Sequence, residues 1–251
     1  MKILFLGTGT STGVPQIGCE CEVCKSSNPK DKRLRTSVLI SDEDKNILID
    51  CGPDFRQQML NYNIKHIDAV LLTHHHYDHI SGLDELRSFT YTQPMPIYME
   101  QNVADSIKRM YPYCFSENRY PGVANIDIKI IYNTPFEIFG RDIIPIRLMH
   151  YNLPILGYRC GNVAYITDML TIPDDEIEKL RSLDILIINA LRKTKHISHQ
   201  TLQDALNIVE RVSPKKTYLI HMSHQMGLHD EVSKQLPENV YFAYDGLQID
   251  L

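Results

Sequence analysis

Thr73-His74-His75-His76-Tyr77-Asp78-His79 follows directly on the apolar run 69–72, which reads as a buried strand. In extended chain, residues two apart point the same way, so His74 and His76 present their imidazoles to one side. Asp78 and His79 follow where the chain turns and can face the same cavity from another angle. Imidazole and carboxylate suit Zn, Mn or Fe, and these four groups within six residues can serve two adjacent cations. The bland alternative is a polar, His-rich surface loop, which the buried strand in front argues against. His75 points the other way and reads as a packing residue or a support for its neighbours.

Outward from the motif, the chain has the material for a core. Its 251 residues are 43% hydrophobic and 23% charged, enough for one domain or two tight halves and too apolar for disorder. With 26 basic and 31 acidic residues the formal charge is −5, which disfavours a broad basic surface for duplex nucleic acid. No apolar run approaches the roughly 20 residues of a membrane-spanning helix. The opening residues 1–7 are too short an apolar stretch for a signal peptide, so a cytoplasmic location is expected and disulfides are not the default use of six cysteines.

Strands are expected at 3–6, at 37–40 and 47–50 around a polar turn, and at 97–99, 128–131, 143–148, 157–160, 163–167, 185–189 and 217–220. Helices are expected at 53–61, 82–89, 103–110, 173–181 and 200–211. Residues 7–37 form a long loop, and a loop of that length inside a compact domain is usually functional or held by something. The Tyr/Pro-rich segment 111–122 reads as a lid or a subunit contact. No internal repeat is evident, and the order of elements suggests a layered α/β domain. Gly7-Thr8-Gly9-Thr10-Ser11-Thr12-Gly13 imitates a dinucleotide-binding opening. It fails, because Thr12 stands where the third glycine belongs and no helix follows.

Cys19-Glu20-Cys21-Glu22-Val23-Cys24 puts three thiols in six residues of the long loop. Such spacing commonly belongs to a tetrahedral zinc with a fourth ligand elsewhere. A disulfide would leave one thiol odd, and three unligated cysteines remain the plain alternative. Cys51, Cys114 and Cys160 read as small core residues.

The His-x-His-x-Asp-His string resembles the signature of the metallo-β-lactamase superfamily. That resemblance implies an α/β fold, a four-layer αββα sandwich of two mixed sheets flanked by helices, over a single domain 1–251 with a zinc-binding loop at about 14–35. It also implies His150, Asp168 and His221 as further metal ligands, each just past an apolar strand, and Asp50 as an acceptor that orients a histidine. His74, His76 and His150 would hold one divalent metal, Asp78, His79 and His221 the other, with Asp168 bridging; zinc and manganese both fit. The Cys-x-Cys-x-x-Cys loop is similar to that of PhnP-type phosphodiesterases, which act on cyclic ribose phosphates. In them the fourth ligand of a structural zinc lies three residues after the last active-site histidine, and here that residue is His224, beside Cys19, Cys21 and Cys24.

The implied activity is hydrolysis of a small cyclic ribose phosphate or nucleotide-like phosphodiester by a metal-bridging hydroxide held by Asp78 and the other ligands. His196-Ile197-Ser198-His199 resembles the late histidine segment of superfamily phosphodiesterases, with His199 expected as proton donor and His196 as substrate contact, although either could take the first role and a solvent-facing helix cap is the plainer reading. A glyoxalase-type helical domain does not fit the 30 residues after His221 (251 − 221). A ribonuclease Z-like RNA phosphodiesterase is the rival, but the separation of 18 positions from His150 to Asp168 (168 − 150) leaves little room for its tRNA-binding arm. A non-catalytic metal-binding scaffold is disfavoured because every ligand position is filled. No large nucleic acid and no membrane is expected as partner; a homodimer is possible.

Overall fold

The computed structural model describes residues 1–251. The backbone resolves into two compact units, Met1–Gly7 with Arg35–Tyr132 and Gly246–Leu251, and Thr8–Leu34 with Asn133–Asp245. Each contains one seven-stranded mixed sheet.

In the first unit the strands are β1 (Lys2–Gly7), β2 (Ser37–Asp42), β3 (Lys45–Ile49), β4 (Ala69–Leu71), β5 (Met95–Met99) and β6 (Ile126–Ile130). The second holds β7 (Phe136–Ile138), β8 (Arg141–His150), β9 (Leu153–Cys160), β10 (Val163–Ile166), β11 (Ile185–Asn189), β12 (Lys216–Ile220) and β13 (Val240–Phe242), while β14 (Gln248–Asp250) returns to the first. The sheet orders are β14-β1-β2-β3-β4-β5-β6 and β13-β12-β11-β10-β9-β8-β7. In the first, β1, β2 and β3 form an antiparallel meander and β3 to β6 run parallel. The second repeats this path, with β8, β9 and β10 antiparallel and β10 to β13 parallel. The sequence shows no internal repeat by inspection, so the repeat is visible in the strand order.

The central parallel strands β4, β10 and β11 are buried at every position and correspondingly apolar, because neither face of such a strand meets water. Ile185–Asn189 is buried at every position. In the first unit Leu48, Val70, Leu72 and Ile97 share a core with Phe55, Met59, Leu83, Val103 and Ile107 of the helical segments; in the second Ile166, Leu186, Ile188 and Leu219 do so with Ile177, Leu180, Ala205 and Val232. Burying one such side chain is worth about 1.5–3 kcal/mol, so each core can sustain a strained rim. No helix is long and apolar enough to cross a membrane.

Several expected boundaries shift. The β8 strand runs on to His150 and pairs it with Leu153 of β9, so the hairpin turns on Tyr151 and Asn152 alone. The helix expected at 200–211 is Leu202–Val212, opened by Thr201, whose hydroxyl accepts from the Asp204 amide while the Asp204 carboxylate accepts from the Thr201 amide. The segment 82–89 is a 3-10 turn, Leu83–Phe89, and the short edge strands β7, β13 and β14 were too brief for a period to register.

Candidate metal centres

Parallel strands align their carboxyl ends, where side chains from separate strands can converge. In the first unit Asp50 follows β3 and Thr73-His74 follows β4. In the second unit His150 ends β8, Asp168 follows β10 and His221 follows β12, all on one sheet edge because β8, β10 and β12 run the same way. Asp50, Asp168 and His221 all adopt left-handed backbone conformations, with φ of 63°, 54° and 56°. Non-glycine residues there carry a local cost of about 1–3 kcal/mol, and such positions cluster where function demands a particular side-chain direction. Asp50 and Asp168 occupy equivalent places in the two repeats, each just past the third strand of its meander.

Within the first unit, His74 is buried and its ring centroid lies 4.6 Å from that of His76 and 4.3 Å from that of His79. Asp78 and His79 sit in a one-turn helix, Tyr77–Ile80, rather than on an irregular turn. That helix rests on the loop after β3: the Cys51 amide donates to the His79 carbonyl at 2.7 Å, and any Cβ at Gly52 would collide with the Asp78 carbonyl. Tyr111 braces its far end, its hydroxyl donating to the carbonyls of Ile80 at 3.3 Å and Ser81 at 2.8 Å. The Tyr/Pro segment thus begins as a strut for the motif, a role its composition did not disclose.

Asp50 is fully buried, and it accepts from the His79 Nδ1–H at 2.7 Å, the Thr73 amide at 2.9 Å and the Thr73 hydroxyl at 3.0 Å. Burial pushes its carboxyl up from the ordinary range, and His79 pulls it back. With Nδ1–H committed to Asp50, His79 Nε2 carries a lone pair and lies 3.2 Å from Asp78 Oδ2. Two lone-pair groups face one another there, and a cation is what turns that arrangement from repulsive to attractive. His75 sits half-buried beside the string, its pKa lowered by burial and by Arg109.

The second unit builds a matching set. His221 Nε2 lies 3.2 Å from Asp168 Oδ1, and His199 Nδ1 lies 3.7 Å from the same oxygen. Potential donor atoms of His150, Asp168 and His199 all fall within 4.8 Å of one another. His199 Nδ1 is buried with no hydrogen-bond partner. His150 Nδ1 donates to the Ser198 carbonyl at 2.8 Å, so Nε2 is the nitrogen that could serve a metal. The His196 ring centroid stands 5.2 Å from that of His199, so both histidines of the late segment are at this edge. Burial is the dominant influence on His199 and pulls it down to about 3, with Asp168 opposing. The imidazolium expected from the sequence therefore needs an arriving anion to hold its proton.

The cysteine loop closes on itself in the second unit. Ligand atoms of Cys19, Cys21, Cys24 and His224 lie within 4.8 Å of one another, with His224 Nδ1 3.5 Å from Cys19 Sγ and 3.2 Å from Cys21 Sγ. Three thiols and one imidazole are a zinc donor set. Cys21 is pulled down to about 6, chiefly by backbone donation at Cys24 and then by His224, while burial pushes Cys24 up to about 11. The loop has a second tether that residue spacing gave no sign of. Buried Arg33 donates to Thr8 Oγ1 and the Ala243 carbonyl, each at 2.7 Å, and to His229 Nδ1 at 3.1 Å, while Asp31 accepts from the His229 amide at 2.7 Å. Thr8 in turn flanks the residue after His221: the Met222 amide donates to the Thr8 carbonyl at 3.0 Å and the Thr10 amide to the Met222 carbonyl at 3.1 Å.

A family model described as a beta-lactamase superfamily domain matches residues 45–222, from β3 to just past His221. The chain belongs to that superfamily. A crystal structure described as a new diphosphatase from the PhnP family is 40% identical and superposes with a TM-score of 0.93 over 100% of this chain and 97% of that one. The short form of human tRNase Z, at 21% identity and a TM-score of 0.73, shares the fold over 100% of this chain and 99% of its own. Among curated proteins, one named octanoyltransferase from Porphyromonas gingivalis (strain ATCC BAA-308 / W83) is 47% identical over 251 residues, 99% of this chain but 51% of that protein. Coenzyme PQQ synthesis protein B of Methylobacterium nodulans (strain LMG 21967 / CNCM I-2342 / ORS 2060) is 32% identical over 121 residues, 43% of this chain and 40% of that protein. The chain thus spans about half the length, or less, of the curated relatives it matches. The superfamily and PhnP-type resemblance read from the histidine string and the cysteine loop is the one these likenesses show, and so is the α/β fold of two mixed sheets flanked by helices.

Proposed function

We propose that this superfamily member is a metal-dependent hydrolase acting on a small phosphodiester, cyclic ribose phosphates and nucleotide-like esters being the class. The observation that carries the reading is the 40% identity to a PhnP-family diphosphatase over essentially both chains, in a protein whose Cys19, Cys21, Cys24 and His224 donors converge. Residues His74, His76, Asp78, His79, His150, Asp168 and His221 would hold two divalent ions, zinc or manganese, and the cysteine set one structural zinc. When bound, such ions lower the pKa of a coordinated water so that hydroxide is available near neutral pH. Asp50, through Thr73 and His79, keeps the donor imidazoles in their ligating tautomers. Ser198 does the same for His150. His199 supplies a proton to the departing alkoxide from the position beside Asp168, once the phosphate charge has offset the desolvation that otherwise keeps the ring neutral. His196 contacts the substrate. No large nucleic acid is needed, and the chain works in the cytoplasm alone or as a homodimer.

A second reading has one observation in its favour: the relative that matches 99% of this chain is named for acyl transfer. A metal-activated hydroxide also attacks thioesters. The deciding experiment loads the protein with Zn or Mn and offers bis(p-nitrophenyl) phosphate, 2′,3′-cyclic and 1,2-cyclic ribose phosphates, and octanoyl thioesters. Metal-dependent turnover of the phosphates supports the first reading; turnover of the thioester alone replaces it.

A further inference from the structure

In the first unit the helix Phe55–Asn61 and the 3-10 turn Leu83–Phe89 pack against each other. They meet at one end, where a Cβ at Gly82 would lie 2.1 Å from the Gly52 carbonyl oxygen and 2.8 Å from Phe55 Cβ. Beside that contact opens a cavity of about 230 Å³, completed by the turn 63–65. That turn is tied to the helix: the Asn63 and Ile64 amides donate to the Leu60 and Met59 carbonyls at 3.4 Å and 3.0 Å. Buried Phe55 and Met59 and half-buried Ile64 and Phe89 supply the apolar lining, the two phenylalanine rings standing edge to face with centroids 5.8 Å apart. Arg56, Lys65 and Glu85 also line the cavity; all three are exposed and none forms an ion pair. No candidate metal donor is among the lining residues, so the cavity is separate from the centres described above.

An apolar cavity of about 150 Å³ is enough to hold benzene, so this one has room for a two-ring aromatic group. Two phenylalanine rings and a thioether favour an aromatic occupant over an alkyl chain, because ring edges and methionine sulfur both gain from aromatic contact. The surrounding charge selects the other end of the ligand. Two unpaired cations against one carboxylate favour an anionic group. We propose that this cavity binds a small aromatic carboxylate, its ring against Phe55, Met59 and Phe89 and its carboxylate held by Arg56 and Lys65. The site stands independently of the hydrolase reading.

The chain contains no tryptophan, so indole fluorescence reports the ligand alone. Polarisation titrations of the metal-loaded protein use indole-3-propionate, its amide and tryptamine, which are anionic, neutral and cationic probes of similar shape. The acid is expected to bind with Kd below about 1 mM, about fivefold tighter than the amide and tighter still than the amine, with margins that narrow in about 0.5 M NaCl. Arg56→Ala/Lys65→Ala should bring the acid and the amide to equal affinity, and Glu85→Gln should widen their margin. Ser88 is an exposed residue of the cavity wall, where a larger side chain can be carried without disturbing the core. Ser88→Phe should weaken all three probes by at least about tenfold. Acid binding untouched by Ser88→Phe places the carboxylate elsewhere, on the metals for example, and overturns the proposal. So does an acid preference that survives loss of both cations, equal binding of the three probes, or no saturable polarisation with any of them.

Discussion

Replacing Asp50 separates two jobs that one carboxylate performs. In Asp50→Ala the Thr73 amide and the His79 Nδ1–H lose a buried acceptor, while the Thr73 hydroxyl can turn elsewhere. Two orphaned buried donors cost about 1–3 kcal/mol each, and removing a desolvated carboxylate returns part of that, so the metal-free protein should lose about 3 kcal/mol. Asp50→Asn keeps an oxygen for Thr73 but points an amide N–H at His79. The ring then moves its proton to Nε2, where Asp78 Oδ2 at 3.2 Å accepts it. Stability should fall by only about 1 kcal/mol, yet Nε2 has lost the lone pair a metal needs. Recovering the ligating tautomer should weaken metal binding about 10–100-fold. Urea unfolding in chelator and competition with a chromogenic chelator measure the two quantities. Asp50→Asn that holds metal as the wild type does, or that is as destabilised as Asp50→Ala, refutes the tautomer argument.

Cys21→Ser should remove one equivalent of zinc and raise amide exchange over residues 16–26. Residues 29–34, tied by Asp31 and Arg33, should stay protected; zinc content equal to wild type removes the structural-zinc assignment. His199→Ala at constant metal content should slow an alkyl ribose phosphate by at least about tenfold, 1.4 kcal/mol in the barrier, and a nitrophenyl ester by less, because nitrophenolate leaves without a proton. Equal losses on both esters assign His199 to binding or shaping. His229 is held neutral, at about 4, first by burial and then by Arg33, against an ordinary value of 6.5. Its contribution is therefore complete above pH 6.5 and is lost as pH falls toward 4, where the unfolded chain binds the proton first. Solvent screening reduces the full effect to on the order of 2 kcal/mol. His229→Gln should match the wild type's pH dependence above 6.5 and gain on it below; parallel stability curves from pH 7.5 to 4 contradict this.

Local chemistry singled out the candidate donors. Four ligand-type residues in six after an apolar run, three thiols in six residues, and an ordered series of Asp and His past strand ends are patterns of sequence distance, and they suffice to nominate His74, His76, Asp78, His79, Cys19, Cys21 and Cys24 as candidate ligands. The central parallel strands were equally legible, because burial on both faces forces continuous apolar runs such as 185–189. The supports were not. Thr73 as relay between Asp50 and His74, Tyr111 as strut, Ser198 as acceptor for His150 and Arg33 as anchor of the cysteine loop rest on contacts between residues 23 to 210 positions apart or on a backbone carbonyl that no side-chain pattern reveals. The neutral state of His199 belongs to the same class. Residue type gives an imidazole its ordinary pKa, but the cost of charging it depends on how much water the fold removes, and only the packed chain sets that.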